Sequence, residues 1–134
     1  NLSYILNEAR DQCSDTLRNK RIIHILIDNY LVDDKKYFNL PKNLKCKHFS
    51  LDIRFLCLPE NYLKDLENII YKYQISINKL ISMKYLKTLF PEENIELPEM
   101  VKKVDEGYNL NEAVITSKKS KKMSFFERFF HFFS

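Results

Sequence analysis

The sequence predicts an α+β fold: a small sheet of about three strands packed against two helices, in the order helix-strand-strand-helix-strand. Three observations predict it. Ile22-Ile-His-Ile-Leu-Ile27 is a β-branched apolar run of strand length. His48 to Leu58 alternates, with Phe49, Leu51, Ile53, Phe55 and Cys57 on one side and Ser50, Asp52, Arg54 and Leu56 on the other. Ser3 to Leu17 and Pro59 to Tyr73 instead space their apolar residues three and four apart, the period of an amphipathic helix.

Each element follows in order. In the first helix Tyr4, Ile5, Ala9, Cys13 and Leu17 make the apolar stripe, with Ser3 at the N-cap, and Asn19-Lys20-Arg21 closes it. The first strand starts at Ile22 and continues through Tyr30-Leu31-Val32. Asp33-Asp-Lys-Lys36 is a turn. Phe38 to Cys46, with Asn39, Pro41 and Asn43, is a loop. The alternating strand over 48–58 follows, with one solvated face. Pro59-Glu60 opens the second helix, whose stripe is Tyr62, Leu63, Leu66, Ile69, Ile70 and Tyr73. Ile75 to Ile81 is a short third strand, and Met83 to Phe90 a brief apolar segment stopped by Pro91. Both helices are expected on one side of the sheet. Beyond Pro91 the chain turns polar and loses periodicity. Residues 91–117 are expected to be linker, with one helical turn at Met100, Val101 and Val104.

The tail has its own character. On a helical wheel Phe125, Phe126, Phe129, Phe130, Phe132 and Phe133 cover one half, and Ser124, Glu127, Arg128 and His131 share the other. Lys118, Lys119, Lys121 and Lys122 precede them. Cations followed by an aromatic amphipathic helix suit an anionic bilayer surface. The segment is too short to span a bilayer, which takes about 20 apolar residues. Docking into a partner's groove and packing on the domain itself are the rival uses.

Composition limits the chemistry. With 134 residues the chain makes one domain plus a tail, and much of the net charge of +4 lies in the tail lysines. One glycine leaves no phosphate-cradling loop, so no nucleotide cofactor is expected. Cys13, Cys46 and Cys57 lack paired spacing and are expected to be reduced thiols in or near a core. His24 lies in an apolar strand and is expected to be a core histidine. His48 is expected at the surface. Asp33-Asp34 and Glu92-Glu93 are expected to be solvated turn acids. No nucleophile, metal-ligand or cofactor set emerges, so catalysis is not expected. A nucleic-acid-binding role for the lysines and aromatics is the weaker alternative, because the aromatics follow core periodicity.

One family shares this order. Ser3-Tyr-Ile-Leu-Asn-Glu-Ala-Arg10, followed by Lys20-Arg-Ile-Ile-His-Ile-Leu-Ile-Asp-Asn-Tyr-Leu-Val-Asp33, resembles the inserted subdomain of FtsA, the actin-like bacterial cell-division family. Arg21, His24, Tyr30, Val32 and Asp33 stand at matching places, while Asp28 replaces a usual proline. Leu51-Asp-Ile-Arg-Phe-Leu-Cys57, Leu63 to Tyr73, and Ile77-Asn-Lys-Leu-Ile81 are similar to the next strand, helix and strand of that subdomain. The resemblance covers about residues 1–89. Where the family continues into a glycine-rich nucleotide site, this chain has Phe90-Pro91-Glu-Glu93, so the ATPase lobes are absent. The family ends in a linker and a short basic amphipathic helix, and residues 118–134 are similar in type. The resemblance implies a division adaptor on the cytoplasmic face of the membrane, with other division proteins or FtsA-like protomers as partners. The tubulin-like FtsZ docks in the family on a lobe that this chain lacks, so direct FtsZ binding is not implied.

Overall fold

The long β-branched run folds as the central strand of a four-stranded antiparallel sheet. The computed structural model describes residues 2–92 and 94–113. Its elements are α1 (Leu2–Gln12), α2 (Ser14–Leu17), β1 (Lys20–Val32), β2 (Lys35–Tyr37), β3 (Phe49–Pro59), α3 (Glu60–Tyr71), α4 (Met83–Leu89), α5 (Leu97–Asp105) and β4 (Glu112–Ala113). The α+β class is as the sequence predicts.

β1 runs between two sets of partners. β3 lies along one side of it for the full length, from Lys20 opposite Pro59 to Val32 opposite Phe49. On the other side, β2 pairs with Tyr30–Val32 and β4 with Ile25 and Leu26. The β1–β2 hairpin closes through Asp33 and Asp34, both at positive φ (46° and 65°). That is the two-residue turn whose twist matches the strands, and aspartate tolerates it better than most residues. Two register shifts, between Ile22 and His24 and between Ile27 and Asn29, place an extra residue in β1 each time. β3 carries no such insertion, so its residues alternate strictly between the two faces.

Each face has its own core. Leu6 of α1 packs on the first, with Ile25, Ile27, Tyr30 and Ala113, flanked by Phe49, Leu51, Ile53 and Phe55. Leu26 faces the second, with Tyr85 and Leu86 of α4, Phe90, and Val104 of α5; Leu56, Ile81 and Met100 pack around them. A continuous apolar strand such as 22–27 has side chains on both faces, and each face needs a cover. The expected one-sided arrangement is therefore corrected. α1 covers one face, α4 and α5 cover the other, and α3 reaches that second side through Arg21.

Several local expectations are also corrected. α1 starts at Leu2, so Ser3 lies within the helix instead of capping it. Lys35 and Lys36 belong to β2, because the turn needs only two residues. Residues 75–82 form no strand. Both sides of β1 are already occupied, and Ile81 and Ser82 are drawn over the second face toward α4. Of the 91–117 stretch expected as linker, the described residues up to Ala113 hold the nine-residue helix α5 and the short strand β4. Pro98 sits in the first turn of α5. Gly107, the chain's one glycine, adopts φ 83° just past its end. Gly107 N–H then donates to Val104 O and Tyr108 N–H to Lys103 O, satisfying carbonyls that the helix leaves open.

Candidate functional site

The ten residues that the sequence singles out for membrane contact, Lys118, Lys119, Lys121, Lys122, Phe125, Phe126, Phe129, Phe130, Phe132 and Phe133, lie outside the described residues, as do Glu93 and His131. The described residues run up to Ala113 of β4, which is 1% exposed and pairs with Ile25 of β1.

β4 is held by a polar cluster on the second face. His24 is 1% exposed. Its Nε2 lies 3.0 Å from the Ser82 N–H and accepts that bond. The ring nitrogen left with a proton is Nδ1, which donates to Glu112 Oε1 at 2.7 Å. The other carboxylate oxygen of Glu112 accepts from Tyr85 Oη at 2.5 Å. Asn109 Nδ2 donates to the same phenol at 3.0 Å. The His24 and Tyr85 rings sit 4.5 Å apart. Ser82 also caps α4, its Oγ accepting from the Tyr85 N–H.

A second group lies beside it. Tyr30 Oη donates to Asn111 Oδ1 at 3.0 Å, and Asn111 Nδ2 donates to Phe38 O at 3.1 Å. The Ile27 N–H donates to Asn111 O at 2.8 Å. Burial pushes the Tyr30 phenol up to about 12. Burial, followed by the hydrogen bond and charge of Glu112, pushes Tyr85 above the ordinary tyrosine range. Both phenols therefore stay protonated and keep donating at neutral pH.

These groups resemble a serine, histidine and carboxylate set, but they are not arranged as one. A general base needs a free nitrogen within reach of the nucleophile's proton. The Nε2 of His24 is occupied by a backbone N–H, and the ring is sealed from solvent. The cluster holds α4 and β4 to β1. His24 is thus the core histidine that the sequence predicts. The residues of its cluster, Ser82, Tyr85, Asn109 and Glu112, and Asn111 of the Tyr30 group were missed, because they come from a stretch without strand or long-helix periodicity.

The remaining expected residues fall as follows. Asp33 is exposed yet engaged: Oδ1 accepts from the Lys47 and His48 N–H groups, each at 2.9 Å. Those two backbone bonds, the His48 one first, hold its carboxyl below the usual range. Asp34, His48 and Glu92 are exposed. Cys13, Cys46 and Cys57 are free and half-buried, and burial pushes the Cys57 thiol up. Arg21 grips α3 with a bidentate fork on Glu60, at 2.6 and 3.1 Å, and a further bond to Glu67. Arg21 lowers Glu60, chiefly through the hydrogen bond.

The exposed side of α3 mixes Asn61, Lys64, Asp65 and Asn68 with apolar side chains. Tyr62 and Ile69 stand two helical turns apart, 60% and 56% exposed, and Tyr71, Tyr73 and Ile75 continue the exposed surface. Among the described residues no helix is long and apolar enough to cross a membrane, and no group of three or more His, Cys, Asp and Glu is placed to hold a metal. Comparison with protein-family models, with characterised proteins and with solved structures finds no match.

Proposed function

We propose that this chain is an adaptor of the FtsA-like cell-division type, a protein-contact domain tethered to the cytoplasmic face of an anionic membrane by its C-terminal segment. The observation that carries the reading is the junction. Ala113, in a strand locked into the core with Asn111 and Glu112, stands five positions in sequence before a lysine cluster and six phenylalanines at helical spacing. A tether transmits position only if its attachment is firm. Here it is attached to the central strand by backbone pairing, a buried methyl group and two side-chain networks. The exposed Tyr62, Ile69 and Tyr71 of α3 offer contacts for another division protein or an FtsA-like protomer.

Vesicle co-sedimentation tests this. The full chain is expected to pellet with vesicles containing phosphatidylglycerol, and less so as salt rises, since each lysine near such a surface contributes about 1 kcal/mol. Phe126→Glu together with Phe129→Glu should leave it in the supernatant while far-ultraviolet circular dichroism is unchanged. Purified FtsA, added without nucleotide, should pellet with the vesicle-bound chain in excess of its own background. Unaltered pelleting of the double variant would remove the tether, and absence of FtsA enrichment would remove the adaptor role.

A further inference from the structure

The two edges of the sheet differ in protection. An unpaired strand edge is a template for another chain, and folded proteins blunt it with brevity, lysine, proline, bulges or a covering element. On the far side of β1, β2 has three residues, two of them Lys35 and Lys36. β3 has 11 residues, no lysine, and a proline only at its last position. Both register insertions lie in β1, so β3 is left regular. Among the described residues its one strand neighbour is β1.

The direction of its free groups follows from the ladder. The Asp33 N–H bonds His48 O, and the Ile27 N–H points away from β3 to Asn111 O. Along β3 the even residues therefore face β1, and Phe49, Leu51, Ile53, Phe55 and Cys57 present their N–H and C=O groups outward. Among the described residues none of these groups has a backbone partner across that edge.

We propose that β3 pairs antiparallel with β3 of a second copy of this chain, about a two-fold axis at Ile53, to give one continuous sheet. The strand is self-complementary in that register. Ile53 meets Ile53 as a hydrogen-bonded pair, and Leu51 meets Phe55 of the second copy. These apolar side chains are only half-buried in one copy. On the other face Asp52 meets Arg54 of the second copy, twice by symmetry. This is the non-hydrogen-bonded position, where side chains come closest. Within one copy Asp52 already lies 3.7 Å from Lys36, and Arg54 2.8 Å from Asp28. Pairing thus extends each ion pair into a row of alternating sign, Lys36, Asp52, then Arg54 and Asp28 of the second copy. A two-fold contact uses the same patch on both copies and closes at two, so it does not grow into a fibre.

Charge reversal on the full chain, followed by sedimentation equilibrium without lipid, tests this. The unaltered chain is expected at twice its 16.2 kDa mass at micromolar concentration. Asp52→Arg alone, or Arg54→Asp alone, sets like charges opposite each other at both positions and should raise the dissociation constant roughly tenfold or more. An equimolar mixture of the two single variants restores opposite charges at both positions, and so should return to dimer mass. The doubly swapped chain, D52R/R54D, should dimerise by itself. Recovery in the mixture also shows that each single variant is folded. A monomeric unaltered chain would overturn the proposal and leave the edge to a foreign strand. Unchanged dimer in both single variants would overturn it in favour of association through the tail. Failure of both the mixture and the double swap to recover, with wild-type circular dichroism, would overturn the register.

Discussion

The two faces of the central sheet bury similar strands by different physics. On the first, Leu6, Ile25, Ile27 and Ala113 meet as shapes, and Tyr30 alone of this cluster adds a side-chain hydrogen bond, to Asn111. On the second, Leu26, Leu86, Phe90 and Val104 surround a polar cluster in which His24, Tyr85 and Glu112 each satisfy another. Apolar contact is non-directional, so the first face tolerates exchanges that keep volume. Hydrogen bonding is directional and counted in pairs, so loss of one partner on the second face leaves another buried group unsatisfied. The first face therefore supplies cohesion. The second fixes which segments dock: Glu112 admits β4, and the Ser82 N–H on His24 sets the start of α4.

Substitutions can break this comparison, and the largest effect is expected on the apolar face. Ile25→Asp places an unpaired charge at a site 2% exposed. A change of that kind costs more than about 4 kcal/mol, and the chain should show no cooperative urea transition. Ile25→Val keeps the shape and should cost only about 1 kcal/mol. If the charge and the shape change proved equally mild, the first face would not be a packed core.

A middle-sized effect should distinguish the second face. Tyr85→Phe leaves one oxygen of Glu112 without its donor and should cost about 1–3 kcal/mol in urea unfolding. Glu112→Gln disturbs both the His24 and the Tyr85 bonds and should cost at least as much. Because both changes act on one network, the double variant should fall short of the sum by about 1 kcal/mol. Strict additivity would mean that the cluster is a set of independent contacts.

The smallest effect belongs to the solvated end of the second face. Arg21→Ala removes the grip on Glu60 and Glu67, partly exposed pairs worth about 1 kcal/mol or less and weakened by salt. The lowered Glu60 carboxyl gives this contact a sign with pH. A depressed folded value contributes stability above the ordinary glutamate pKa of about 4.3, and that stability is lost as pH falls through the folded value. Unfolding of the unaltered chain should therefore steepen below about pH 4, and Arg21→Ala should flatten that limb. An identical acid limb in both would assign the acid sensitivity to other carboxylates, Asp33 first among them.

Much of the fold was legible because period reports burial. The presence of α1 and α3, the alternation of β3 and the run that became β1 were visible in the letters, but the helix stripes are corrected: Tyr4, Tyr62, Ile69 and Tyr73 are exposed, and α1 buries Leu6, which lay off its expected stripe. The continuity of Ile22–Ile27 held a further message, since an unbroken apolar strand implies covers on both faces, and it was at odds with a one-sided sheet. Leu97-Pro98 before Met100 and Val104, with Gly107 behind, carried the start and stop signals of α5. Their short span in a charged stretch made them resemble linker. The sequence-chosen membrane residues, in turn, are legible as amphipathic chemistry and lie outside the described residues.

What the sequence by itself determined was local: which segments bury a face, that helices lie near 3–17 and 60–73, and that His24 belongs to a core. Those properties depend on neighbours within one or two turns or pleats, and periodicity records them. What only the tertiary structure decided was long-range. Glu112 meets His24 across 88 positions, Ser82 across 58, and Asn111 meets Tyr30 across 81. No local pattern marks a residue for such a partner, because the pairing exists only after β4 and α4 have folded onto β1. The same holds for the segment over 75–82, whose strand-like letters lost to a sheet with both sides of its central strand already taken. The free edge of β3 is likewise a fact of topology. Its alternating letters were plain in the sequence, but only the strand order shows that its outward backbone groups have no strand partner among the described residues.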